Sequence, residues 1–197
     1  MRAKRNHLFS VAAMTLALGF AGTAANAAGV FTLQSTDFKE GTMLPKQAAN
    51  SAANRGGNLA CVGENISPQL SWIGAPDGTK SFAITIVDPE ANGGAGFIHW
   101  VAYGIAPSVT GFAEGEVSKA SDKYVGGKSG AGIGSYSGPC TPPNVTPHQY
   151  LFMLFATDLD PKDLPPGLTK DELIAKLASH VKATSTLVGT FVNPWHQ

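Results

Sequence analysis

Apolar residues in this chain come mostly in short blocks, separated by glycine, proline and polar turns. Val30-Phe31-Thr32-Leu33, Ser67-Pro68-Gln69-Leu70-Ser71-Trp72 and Leu187-Val188-Gly189-Thr190-Phe191-Val192 are three such blocks, each of strand length. Three others are apolar at nearly every position: Ser81 to Val87, Phe97 to Ile105, and Tyr150 to Thr157. A strand without alternation is one buried on both faces. Ala75-Pro76-Asp77-Gly78-Thr79 is a turn by composition, because proline presets φ and Asp-Gly tolerates the reversal. Residues 39–64 hold few large apolar groups and read as an extended loop. Many strands with no strand–helix rhythm predict an antiparallel β-sandwich.

One helix is also predicted. Thr169-Lys170-Asp171-Glu172 has the form of a capping box, and Leu173, Ile174, Leu177 and Val181 follow at helical spacing as one buried face. This places a helix near residues 169–182, after the stiff connector Leu164-Pro165-Pro166-Gly167.

The N-terminus follows a different pattern. Arg2, Lys4 and Arg5 precede an apolar run from Leu8 to Phe20, and Ala25-Asn26-Ala27 supplies a small-x-small cleavage site. Residues 1–27 therefore read as a signal peptide, and residues 28–197 as a single domain of a secreted, periplasmic protein. No later segment is apolar for long enough to span a bilayer. Without the leader's three cations the domain has 11 Lys/Arg against its 14 Asp/Glu, which argues against nucleic acid as a partner. Cys61 and Cys140 are the two cysteines of the chain. In an oxidising compartment an even pair reads as a disulfide, the alternative being two unpaired buried thiols.

Standard enzyme signatures fail. Gly127-Lys128-Ser129 lacks the first glycine of a phosphate loop, and there is no G-x-S-x-G, His-Glu-x-x-His or Cys-x-x-Cys. What remains is polar residues at strand ends. Asp88 closes one apolar block, His99 interrupts another, and His148 and Tyr150 are two apart and so share a strand face. An aspartate beside a histidine favours the protonated imidazole, and Gly138 offers a backbone N–H for close approach. Together they form a candidate anion pocket. Taken singly, His99 is a core residue and Asp88-Pro89 a turn.

Longer motifs then match a family. Asn65-x-Ser67-Pro68-x-Leu70-x-Trp72 with Ala75-Pro76-x-Gly78-Thr79-Lys80-Ser81, Val87-Asp88-Pro89 with His99-Trp100-Val101, and Tyr136-x-Gly138-Pro139 with Pro142-Pro143 and His148-Gln149-Tyr150-x-Phe152 occur in order. The chain resembles the phosphatidylethanolamine-binding protein family, in its bacterial Raf-kinase-inhibitor-like branch. The resemblance implies an antiparallel β-sandwich with one or two peripheral helices. It also implies a pocket for phosphate or phospholipid-type head groups, formed by Asp88, His99, Gly138, Pro139, His148 and Tyr150, with Trp100 and Tyr136 as neighbours. It implies no cofactor, no metal and no catalytic residue.

Two departures concern the rim of that pocket. Glu90 and Asn92 replace the family's Asp and Pro after Asp88-Pro89, and Gln149 replaces its Arg. Two other functions compete with anion binding. One is a protein-interaction modulator that inhibits a protease or signalling enzyme through residues 39–64 and 138–147. The other, less favoured, is a hydrolase with His99 or His148 as general base.

Overall fold

The computed structural model describes residues 29–51, 61, 63–142 and 146–193. The signal-peptide reading of residues 1–27 lies outside them. Two sheets face each other. One has three strands in the order β1 (Thr32–Gln34), β3 (Leu70–Ile73) and β6 (Gly111–Phe112). The other has six, in the order β2 (Thr42–Met43), β9 (Val181–Phe191), β8 (His148–Thr157), β4 (Ser81–Asp88), β5 (Phe97–Ile105) and β7 (Val125–Gly126). Every pairing between these strands is antiparallel except β2 with β9. The predicted sandwich is therefore present, with one short parallel pair at its edge.

The core explains the unbroken apolar blocks. Trp72, Phe82, Ile84, Ile86, Trp100, Phe112 and Phe152 fill the space between the sheets. On the outer face of the large sheet Ala83, Val101, Tyr103 and Phe155 form a second cluster, covered by Leu168, Leu173 and Leu177. The central strands β4, β5 and β8 thus bury both faces, and each large side chain so buried contributes about 1.5–3 kcal/mol.

The last two cover residues lie on α2 (Lys170–Leu177), which begins with the expected capping box. Glu172 N–H donates to Thr169 Oγ1 at 3.3 Å, and Thr169 N–H donates to Glu172 Oε2 at 2.9 Å. The helix is shorter than its pattern suggested: Ile174 is exposed, and Val181 opens β9. A second helical turn, α1 (Ala91–Gly94), follows β4, with Asn92 and Gly93 at positive φ. β9 begins at Val181, ahead of the predicted Leu187, because its first half is solvated and carries Lys182, Thr184 and Thr186 outward.

Candidate functional site

The ends of β4 and β8 bring two carriers of chemistry together. The register pairs Val87 with Leu151, so Asp88 extends β4 alongside the start of β8. There Asp88 Oδ2 lies 2.8 Å from His148 Nδ1. The other oxygen, Oδ1, accepts the N–H groups of Glu90 at 3.0 Å and Ala91 at 2.9 Å. The carboxylate is buried, and these three partners fix its orientation.

His99 reaches the same place through an irregularity in β5. Ile86 pairs with Trp100 but Val87 with Ile98, which leaves His99 as the extra residue of a β-bulge. Bulges re-aim side chains, and this one lets the adjacent His99 and Trp100 both face the sandwich interior. The His99 ring packs edge-on against Phe97 and Tyr150, at centroid distances of 4.8 and 5.1 Å. Its Nδ1 is 2.6 Å from the Ser137 carbonyl oxygen, while Ser137 N–H donates back to the His99 carbonyl at 3.1 Å. Burial holds the His99 pKa below its ordinary value, against the pull of Ser137, Asp88 and Gly138. At His99 desolvation outweighs the neighbouring carboxylate; the histidine that lies directly beside the aspartate is His148.

The segment 136–140 forms the opposite wall, and Ala48, Asn50, Cys61 and Asn65 hold it. Tyr136 Oη donates to Ala48 O at 2.8 Å, Asn50 N–H to Pro139 O at 2.8 Å, and Asn50 Nδ2 to Ser137 Oγ at 3.0 Å. Asn65 holds Gly138 and Tyr136 together: its Oδ1 accepts Gly138 N–H at 2.8 Å and its Nδ2 donates to Tyr136 O at 3.2 Å. Cys61 and Cys140 are disulfide-bonded, with α-carbons 5.2 Å apart.

The enclosed cleft is about 480 Å³ and is lined by Asp88, His99, Gly138, His148 and Tyr150, along with Glu90, Phe97 and both cysteines. The other three candidates stand behind it. Trp100 packs against Phe112 and Tyr124, Tyr136 is buried against Ala48, and Pro139 contributes its carbonyl to Asn50. Gly138 has a different role from the expected one, because its N–H is taken up by Asn65. Asn50, Asn65 and Ser137 are the participants that periodicity missed. Asn65 lay inside the first matched motif, whereas Asn50 carries no local signal. At the rim, Glu90 Oε2 accepts the N–H of Gln149 at 3.1 Å, so both departures from the family pattern meet in one contact.

Two features define the electrostatics. Among the described residues, no lysine or arginine lines the cleft. Burial, followed by the Asp88 carboxylate towards which it lies, pushes the Tyr150 hydroxyl pKa well up, and that hydroxyl makes no hydrogen bond of full geometry among the described residues. These residues also contain no group of three or more His, Cys, Asp or Glu placed to hold a metal ion.

Known proteins share this architecture. A family model for phosphatidylethanolamine-binding protein matches residues 34–192. A UPF0098 protein of Methanothermobacter thermautotrophicus is 36% identical over 150 residues, covering 75% of this chain and 97% of its own. LppC of Mycobacterium tuberculosis, named as a lipoprotein, is 32% identical over 173 residues, covering 87% of this chain and 77% of its own. The crystal structure of Escherichia coli YbcL, described as a member of the mammalian PEBP family, superposes with a TM-score of 0.73 at 28% identity, covering 83% of this chain and 98% of that one.

Proposed function

The chain belongs to the phosphatidylethanolamine-binding protein family, and from that membership we propose that its cleft binds a small phosphate-type oxyanion, free or carried on a lipid head group. The observation that carries this reading is the Tyr150 hydroxyl, a buried donor on the cleft whose neighbouring acceptor, the Asp88 carboxylate, is already bonded to His148 and to the N–H groups of Glu90 and Ala91. A buried polar group left unsatisfied costs about 1–3 kcal/mol, which an accepting ligand oxygen recovers. Asp88 orients His148 on the same cleft, and Phe97 and His99 supply part of its walls.

The proposal is a binder that releases its ligand unchanged. Export to the periplasm is part of it, supported by the leader pattern in residues 1–27, by the disulfide beside the cleft, and by a relative named as a lipoprotein. Calorimetric titration with inorganic phosphate and with phosphoethanolamine tests the binding. Heat at one site is expected, weakened about ten-fold in Tyr150→Phe, which keeps the ring packing and removes the donor. No heat from either ligand would sink the reading. Turnover of phosphoesters that disappeared in His148→Ala would make the site catalytic instead.

A further inference from the structure

The rim of the cleft carries a different kind of chemistry at Asn92. It is the one asparagine of the chain that is followed by glycine, and it stands where this sequence departs from the family pattern. The backbone nitrogen of the residue after an asparagine is placed to close a five-membered ring on the side-chain Cγ. Glycine favours that closure, because it has no Cβ in the way and the widest choice of φ and ψ.

The fold leaves the segment room to do so. Asn92 lies in α1 at φ 54° and ψ 38°, in the left-handed region, and Gly93 and Gly94 follow at φ 68° and 93°. At this ψ the Gly93 nitrogen is turned away from the Asn92 side chain, so the turn must open before the two meet. Little packing opposes that opening. No residue of α1 is buried, and a methyl added to Gly93 or Gly94 would meet nothing within 4 Å. Gly94 N–H donates to Glu90 O at 3.3 Å and Ala95 N–H to Asn92 O at 3.4 Å, both longer than the ordinary range. The bond from Gly96 N–H to Ala91 O, at 2.9 Å, joins the ends of the turn, and Asn92 Nδ2 donates to Gly96 O at 3.0 Å. Exposed turns with few buried contacts open locally at small cost.

We infer that Asn92 is a site of spontaneous deamidation in the folded protein, and that the product changes the charge of the cleft. The Gly93 nitrogen gives its proton to water or hydroxide and attacks Asn92 Cγ. The bond from Cγ to the side-chain nitrogen breaks, and ammonia leaves. Water then opens the succinimide. Addition at Cγ restores the backbone and leaves an aspartate, whereas addition at the main-chain carbonyl leaves an isoaspartate, with the chain running through the side chain. Either way one water is consumed, one ammonia is released, and an amide becomes a carboxyl group that is ionised at neutral pH.

Asn92 and Gly93 line the cleft together with Asp88 and Glu90, and no lysine or arginine joins them among the described residues. A further carboxylate there repels an incoming oxyanion. Isoaspartate also lengthens the backbone by one methylene, next to the turn that Asp88 Oδ1 anchors through the N–H groups of Glu90 and Ala91. The effect on binding rests on the oxyanion reading above; the deamidation does not.

Incubation of the folded protein under mildly alkaline conditions at body temperature, followed by peptide mass spectrometry, tests the site. Asn92 is expected to gain the mass difference between an amide and a carboxyl group, split between aspartate and isoaspartate, ahead of every other asparagine. Asn92→Gln, whose extra methylene disfavours ring closure, is expected to stay unmodified at this position. An intact Asn92 in the folded protein while the urea-unfolded chain converts overturns the inference, because the turn then protects it. Conversion led by another asparagine overturns it too. Titration of fresh and aged protein with inorganic phosphate reads the consequence. Aged protein and fresh Asn92→Asp are expected to bind about three- to ten-fold more weakly, a modest Coulomb cost at a solvated rim. Equal affinity before and after full conversion would overturn the effect on binding. If fresh protein gives no heat with phosphate while Asn92 still converts, the oxyanion reading falls and the modification site stands.

Discussion

The α-carbon of Gly138 faces the carbonyl oxygen of Ala48 so closely that a methyl group added there would overlap it. The backbones of the two cleft segments are pressed together at this point, and this by itself requires glycine. Gly138→Ala is therefore expected to destabilise the fold by about 1–3 kcal/mol, the usual cost of overpacking. Thermal denaturation measures it. Gly29→Ala, where nothing lies within 4 Å of the added methyl, is the neutral control. Equal melting of the two variants would mean that the 48–50 segment yields easily.

The disulfide reinforces the same contact. It joins residues 79 apart, and in the chain-entropy model a loop of that size contributes about 4 kcal/mol. Guanidinium unfolding with and without a reducing dithiol should show most of that difference. The reduced protein is expected to keep its cleft, because Asn50 still bonds Pro139 and Asn65 still bonds Gly138. A negligible difference would indicate that the reduced, unfolded chain keeps these segments close.

Much of this was legible in the chain, for identifiable reasons. β4, β5 and β8 are apolar throughout because both faces are covered, so position-by-position hydrophobicity found them. β2, β6 and β7 are two-residue ladders, too short to show any period. The first half of β9 is polar because it is solvated, and that concealed it. At the site, Asp88, His99, His148 and Tyr150 do line one cleft. Trp100 follows His99 directly yet lies on the same face of the sheet, deeper in the core, because His99 is the extra residue of a bulge that periodicity does not reveal. Asn50 and Asn65 hold the wall through partners 71–87 residues away. No local pattern encodes contacts of that range.

The cap of α2 offers a third expectation. Thr169 Oγ1 accepts the N–H of Glu172, and the helix it opens places Leu173 and Leu177 over the outer core. Thr169→Ala should cost about 1 kcal/mol, measured by denaturant unfolding, with Thr169→Ser largely restoring it. A neutral alanine would show that packing of the two leucines alone sets the helix start.

The last expectation concerns acidity. Burial depresses the pKa of His99 in the folded protein below the value near 6.5 that it has when exposed. The unfolded chain then takes up the proton first as pH falls, so protonation favours unfolding. The stability tied to a neutral His99 is fully present above about pH 6.5 and drains away as pH drops towards the depressed folded value, below which this contribution is flat. Denaturation midpoints at about pH 7.5 and about pH 5 should therefore differ more in the natural protein than in His99→Phe, where no proton can be taken up. Other acids titrate over the same range, which makes the difference between the two slopes, and not either slope alone, the quantity to measure. Parallel slopes would mean that the ring protonates in place, with the Ser137 carbonyl and Asp88 supporting the charge against desolvation.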